Sequence, residues 1–453
     1  MAGRCARLLS GLALCAAALL AAPASAGVAP TPPMGWNSWD AYGLTITEPQ
    51  FRANVEKLAS IRANGWSYAV IDEGWYMADP FGADLKARHY KLDRFGRLDP
   101  VTDRFPSAAD GHGLRALAAW THARGLKFGI HIVRGIPKAA VEANLPIEGS
   151  HFRAADAADR AATCPWDDGN YGIADNAAGQ AYYDSLIRHY AEWGVDFLKV
   201  DCISDHPYRG SEIAQIGRAI AKVRRPIVLS LSPGPAGIEH ASEMVRYAQM
   251  WRIMDDLWDG WTFPHPDPKS TFPNGVRNAF DSLAAWNDHV GPDSWPDADM
   301  LPLGSLHPHP GWGDPRASRL SPAEARTAFT LWSIARSPLI LGGNLTEIDA
   351  QTWALLRNPA VIALNQQKRV SHPLVLGQAR VWTSRLKGKP IDTVAIFNLS
   401  DGPLALDEVW SNLGLPRGSY AVRDLWTGAR QPSGPRAQLS VAAHDVALLR
   451  VAR

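Results

Sequence analysis

Two short apolar runs in this 453-residue chain end in acids: Phe197-Leu198-Lys199-Val200-Asp201 and Met250-Trp251-Arg252-Ile253-Met254-Asp255-Asp256. A carboxylate at the end of a buried strand is costly to desolvate and needs compensation. Two carboxyl groups delivered to one pocket are the minimum apparatus for cleaving a glycosidic bond: one attacks the anomeric carbon or activates water, the other protonates the leaving oxygen. Lys199 lies two residues before Asp201, on the same face of a strand, where its charge favours the ionised acid. Asp255 and Asp259 flank Asp256, and like charges facing it would keep it protonated. The plainer reading of Asp201 alone is a strand-end ion pair.

Those acids need a scaffold in which strand ends converge. From Pro33 to Gly343 short apolar runs alternate with amphipathic stretches. The runs are Met34–Trp36, Tyr68–Ile71, Phe128–Ile132, Phe197–Val200, Ile227–Leu231, Met250–Ile253, Asp299–Leu301 and Leu339–Leu341. Between them, Thr47-Glu48-Pro49-Gln50 reads as a capping box opening a helix with Phe51, Val55 and Leu58 on one face. His112–Arg124, Ala178–Trp193 and Pro322–Ala335 read as further helices. This alternation predicts a parallel sheet, and eight units predict an α/β fold, a closed (β/α)8 TIM barrel spanning residues 27–368. Long segments after the third and sixth strands, Arg134–Asn170 and Asp259–Asn274, fall where such barrels place specificity. Beyond Gln367 the texture changes to alternating strands separated by turns, at Ala379–Thr383, Thr393–Phe397, Gly418–Val422 and Asp445–Val451. A small antiparallel β-sandwich is expected over 369–453.

Residues 1–26 read as a cleaved signal peptide: Arg4 and Arg7, an apolar Leu8–Ala22, then Ala24-Ser25-Ala26. Export to the periplasm or medium follows, with no membrane association after cleavage. The chain carries 46 basic and 45 acidic residues. Removing Arg4 and Arg7 leaves it one charge negative, which argues against nucleic acid as a partner and fits a neutral carbohydrate. Cys164 and Cys202 remain in the mature chain; an even pair in an exported protein points to one disulfide, two buried thiols being the alternative. Neither a metal motif nor a nucleotide fingerprint is present. His265, His307 and His309 sit among prolines and read as solvent-facing loop residues, so no metal and no cofactor is expected. Eighteen tryptophans are many for this length. Trp36, Trp39, Trp75, Trp166, Trp251, Trp258, Trp261, Trp295 and Trp312 fall near strand ends or in loops, as sugar-stacking faces or as core. Asn344-Leu345-Thr346 and Asn398-Leu399-Ser400 match glycosylation sequons.

Six motifs in order, Pro33-Met34-Gly35-Trp36-Asn37-Ser38-Trp39, Ile71-Asp72-Glu73-Gly74-Trp75, Leu198-Lys199-Val200-Asp201, Trp251-Arg252 with Asp256, Trp295-Pro296-Asp297-Ala298-Asp299-Met300 and Asn365-Gln366, together resemble the glycoside hydrolase family 27 α-galactosidases. The resemblance covers nearly the whole mature chain, tail domain included. It implies a retaining double displacement with Asp201 as nucleophile and Asp256 as acid/base, chosen over Asp255 by its distance from Arg252. It implies that Asp72, Glu73, Lys199, Arg252, Asp299 and Trp36 hold sugar hydroxyls or floor the pocket. It also places Cys164 and Cys202 near a family disulfide, with Cys202 one residue closer to the nucleophile than usual.

Two positions depart from the family pattern. Glu73 stands where a second aspartate is usual, and its extra methylene reaches into the space for a galactose hydroxymethyl group. Ser232 stands where a glutamate near the 2-hydroxyl is usual. The expected order of activities is therefore α-galactosidase, then β-L-arabinopyranosidase, then α-N-acetylgalactosaminidase. A non-catalytic sugar-binding protein is the alternative of a different class.

Overall fold

A computed structural model describes residues 27–81, 89–265, 267, 270–307 and 314–453. The expected leader at 1–26, and Pro308, His309 and Trp312, lie outside the described residues.

Eight parallel strands form the barrel: β1 (Met34–Asn37), β2 (Tyr68–Ile71), β3 (Lys127–Val133), β4 (Phe197–Asp201), β5 (Val228–Leu231), β6 (Met250–Arg252), β7 (Trp295–Asp297) and β8 (Leu339–Leu341). Their sheet order is β7-β6-β5-β4-β3-β2-β1-β8. The two edges meet where the Leu301 N–H donates to the Ile340 carbonyl at 2.7 Å, an isolated parallel bridge that closes the ring. The seventh strand therefore lies earlier than its apolar Asp299–Leu301 run implied. Trp295-Pro296-Asp297 pairs with Met250–Arg252, and Asp299, with φ +85°, sits in the turn beyond. The proline in the strand and the acid on either side of Ala298 hide the true strand from a reading by hydrophobicity.

Helices alternate with these strands. Among them are α1 (Glu48–Ser60), α2 (Arg115–His122), α3 (Ala177–Trp193), α4 (Gly210–Lys222), α5 (Ala241–Tyr247), α6 (Ala279–Ala285) and α7 (Pro322–Ala335). The capping box at Thr47 and Gln50 is present, and α1 buries Phe51, Val55 and Leu58 against the barrel. In-register parallel pairing brings the strand C-ends to one rim. His131 of β3 lies beside Lys199 of β4, which lies beside Ser230 of β5, and Arg252 of β6 lies beside Asp297 of β7. Alternation sends every second side chain of each strand inward, so these polar residues face one another across the barrel mouth.

The tail is antiparallel: β9 (Arg369–Leu376), β10 (Ala379–Leu386), β11 (Thr393–Asn398), β12 (Leu404–Val409), β13 (Tyr420–Asp424), β14 (Arg430–Gly434), β15 (Arg436–Val441) and β16 (Val446–Ala452). A six-stranded sheet runs β9-β10-β11-β16-β13-β14, and β12 pairs with β15 in a second sheet. Four of these strands match sequence expectations; the others carry little apolar signal. The second sequon is closed to modification, because Asn398 is fully buried with its amide nitrogen donating to the carbonyls of Gly402, Val441 and Ala442. Trp382, Phe397 and Leu448 of the tail pack into the same apolar core as Phe329 and Trp332 of α7. Among the described residues no helix is long and apolar enough to cross a membrane.

Candidate active site

A cavity of ≈ 440 Å³ opens at the C-terminal rim of the barrel, lined by Asp72, Glu73, Lys199, Asp201, Ser232, Arg252, Asp255 and Asp256. Seven of these eight were singled out in the sequence as site residues, and Asp255 as the competitor of Asp256. Aromatic and apolar walls come from Trp39, Leu44, Trp166, His206, Pro233, Phe272 and Met300.

Asp201 ends β4 with its side chain 15% exposed. Its Oδ1 accepts the N–H of Cys202 at 2.8 Å. His131 Nε2 stands 3.7 Å from Oδ2, an ion-pair separation too long for a hydrogen bond. Burial pushes the Asp201 carboxyl up, but His131, Lys199 and the Cys202 N–H outweigh it and hold the carboxyl below its ordinary value. The fully buried His131 ring is itself disfavoured as a cation by desolvation, yet Asp72 and Asp201 raise its pKa above the ordinary imidazole value.

Behind Asp201 lies a second acid. Asp72 accepts hydrogen bonds at Oδ2 from Lys199 Nζ (2.9 Å) and Asn37 Nδ2 (2.6 Å). Burial raises its pKa; the opposing charges of Lys199 and His131 prevail and keep Asp72 ionised well below the usual carboxylate range. Lys199 is correspondingly held as a cation, its burial overcome by Asp72 and Asp201.

The other pole is acidic. Arg252 at the end of β6 bonds Asp256 Oδ1 through Nη2 at 3.1 Å and Asp299 Oδ1 through Nη1 at 2.8 Å. Asp255 instead accepts from Thr271 Oγ1 at 2.7 Å. The arginine spacing thus separates the two neighbouring acids in space as it does in sequence. The Asp256 side chain is 36% exposed, against 15% for Asp201. Burial, assisted by Asp256 and Asp297 against the pull of Arg252, pushes Asp299 up to about 7.

Two expected site residues do not line the cavity. Trp36 is fully buried, its indole N–H donating to the Gly343 carbonyl at 2.8 Å, so it packs beneath the site as core. Asp299 lies behind Arg252 and accepts the Leu257 N–H at 2.8 Å, fastening the turn that carries Asp256. Several of the loop tryptophans are core as well: Trp75, Trp251 and Trp295 are fully buried, and among the described residues Trp39 and Trp166 are the tryptophans that reach the cavity. Sequence reasoning passed over His131, whose signal was a polar residue inside the apolar Phe128–Ile132 run. It also passed over Asp40, a buried acid whose Oδ2 lacks a hydrogen-bond partner and whose pKa is raised by burial and by Asp299.

Glu73 follows Asp72 in the turn after β2, buried and facing the cavity. The next residue, Gly74, has φ +101°, and a Cβ there would stand 2.2 Å from the Leu44 carbonyl oxygen. Only glycine fits there. On the opposite wall Ser232 follows β5, its backbone N–H tied to the Val200 carbonyl. Cys164 and Cys202 are bonded, with Cα atoms 6.0 Å apart. Among the described residues no cluster of His, Cys, Asp and Glu is arranged to hold a metal ion.

Comparison with known proteins bears on the family. Residues 165–367 match the family model described as alpha galactosidase A, and residues 376–451 match the alpha galactosidase C-terminal beta sandwich domain. A GH27 β-L-arabinopyranosidase of Geobacillus stearothermophilus is 39% identical, with a TM-score of 0.87 over 94% of this chain and 97% of that one. An alpha-galactosidase A of Cellvibrio japonicus is 28% identical over 98% of both chains. An alpha-galactosidase of Coffea arabica is 28% identical over 92% of this chain and 93% of its own.

Proposed function

The chain belongs to glycoside hydrolase family 27, and from that premise we propose that it removes terminal β-L-arabinopyranose, with net retention, in preference to α-D-galactose. The two sugars share their ring stereochemistry and differ by the hydroxymethyl group. The observation that carries the reading is Glu73, a buried carboxylate lining the cavity where a shorter acid is usual. A longer acid in that space penalises the larger sugar by about 1–3 kcal/mol, enough to reverse a preference. The 39% identity to an arabinopyranosidase supports this reordering of the sequence expectation.

In the first step Asp201 attacks the anomeric carbon while Asp256 delivers a proton to the departing oxygen. The positive side of the pocket favours this: His131, Lys199 and the Cys202 N–H all stabilise an ionised Asp201. In the second step Asp256 takes a proton from water, which opens the covalent glycosyl-enzyme at the same face. Arg252 holds Asp256 in reach of both substrates, and Asp299 holds Arg252. Lys199 and Asp72 present a donor and an acceptor to ring hydroxyls.

Initial rates on the 4-nitrophenyl β-L-arabinopyranoside, α-D-galactopyranoside and N-acetyl-α-D-galactosaminide test the reading. The arabinopyranoside is expected to lead. A leading galactoside would restore the sequence-based order, and a leading acetamido sugar would point to the room beside Ser232. Proton NMR of the first-released anomer tests retention.

A further inference from the structure

Arg104 is a buried cation whose side-chain hydrogen bonds go to main-chain carbonyls rather than to an acid. Burial pushes its pKa down to about 10. A charge taken out of water needs compensation, and here carbonyl dipoles supply it. Nη1 donates to the carbonyls of Leu44 at 3.2 Å and Ile46 at 3.1 Å, in the connection between β1 and α1. Nη2 donates to the carbonyls of Met77 at 2.8 Å and of Gly74, in the connection after β2. Each terminal nitrogen of a guanidinium carries two N–H groups, so both nitrogens are fully used. One planar fork thereby joins two loops of the catalytic rim, one nitrogen to each.

Both loops carry cavity residues: Leu44 comes from the first and Glu73 from the second. Gly74 directly follows Glu73, so Nη2 holds the main chain on the C-terminal side of this acid. On its N-terminal side the Glu73 N–H donates to Asp72 Oδ1 at 2.9 Å, and the Asp72 N–H donates to Ser38 Oγ at 2.9 Å. The backbone that presents Glu73 is therefore tied before and after it. Arg104 is itself fixed in place, because its carbonyl accepts the Glu48 N–H at 2.9 Å where α1 begins. The guanidinium does not line the cavity. Whatever it contributes to the choice of sugar must pass through the loops it joins.

We infer that Arg104 is a positioning residue for sugar selection: its guanidinium sets the spacing between the Leu44 and Glu73 loops, and with it the room left for a substituent on the fifth ring carbon. This rests on the function proposed above, in which Glu73 discriminates between the two sugars.

The test is the galactoside-to-arabinopyranoside ratio of kcat/KM in Arg104→Lys. Lysine keeps a charge but presents it as a point, without the fork that spans two loops. A loss of folded protein lowers both rates alike and cancels from the ratio. The ratio is expected to rise about fivefold, as Glu73 gains freedom to withdraw. In a Glu73→Asp background the same substitution should move the ratio by less than about twofold, because the acid it positions is already shortened. Arg104→Gln, which leaves no charge to bury, is read in the same way should the lysine variant not fold. A ratio that falls, or that stays within about twofold of the parent, would overturn the inference. So would an equal rise with and without Glu73→Asp, since the effect would then bypass Glu73. The proposed preference fails separately: a galactoside that leads in the parent sinks that reading, whereas Arg104 is judged by the change its substitution makes to the ratio.

Discussion

Lys199 Nζ lies 2.9 Å from Asp72 Oδ2, an ion pair between two residues that line the same cavity. Asp72 is buried and Lys199 mostly so, and the cation that favours the ionised Asp201 is itself anchored by this second carboxylate. Removing one member of such a pair leaves an uncompensated charge in a low-dielectric setting. Lys199→Met is expected to lose about 3–5 kcal/mol of stability, read as a lowered urea midpoint. Lys199→Met combined with Asp72→Asn should recover part of that loss while remaining inactive.

Asp201 and Asp256 should fail in different ways. Asp201→Ala is expected to reduce kcat by about a hundredfold or more on every substrate, because no covalent intermediate forms. Asp256→Ala should be severe for poor leaving groups and milder for a fluoride or dinitrophenolate, which need little protonation. Added azide should accelerate the Asp256 variant and yield a glycosyl azide of retained configuration. Equal losses across leaving groups for Asp256→Ala would shift the acid/base role to Asp255.

Shortening Glu73 should enlarge the space beside the sugar's fifth carbon. For Glu73→Asp, the galactoside-to-arabinopyranoside ratio of kcat/KM is expected to rise about tenfold. An unchanged ratio would locate discrimination elsewhere in the cavity.

His131 gives the site a pH dependence of definite sign. Its charge is one of the influences that lower the pKa of Asp201. An acid depressed in the folded state contributes stability above its unfolded pKa and loses it as pH falls through the folded value. His131→Leu removes one depressing cation, so the acidic limb of the kcat/KM profile should move to higher pH. Acid unfolding should likewise begin at higher pH. A limb that stays in place would assign the control of Asp201 to Lys199 and the Cys202 N–H.

Much of this site was legible in the chain because barrels collect strand ends, and a strand end in sequence is a run of apolar residues stopped by a polar one. Asp201, Asp72 and Arg252 announce themselves that way. What could not be read was direction. Trp36 and Trp166 are the same residue type near the same rim, yet one hydrogen-bonds Gly343 in the core and the other stands at the cavity wall. Only the packing of helices and loops distinguishes them. Asp299 reads as a ligand, and in the structure it pairs with Arg252 from a turn at φ +85° without lining the cavity. In the tail, Arg430–Gly434 carries no apolar face to detect, and Arg369–Leu376 is interrupted by Pro373; both become strands because neighbours supply their pairing.

The interface between barrel and tail has an evolutionary and practical meaning. Helix α7 faces two ways: Arg326 pairs with Asp445, Thr330 accepts the Trp426 indole N–H, and Phe329 packs in a core that continues through Phe397 and Leu448. A helix so placed has no solvent side to fall back on. The tail therefore cannot be shed, swapped or grafted as an accessory module, because cutting after residue 368 would lay open the apolar flank of the barrel itself. Barrel and tail share one core, and variants meant for engineering must keep both parts together.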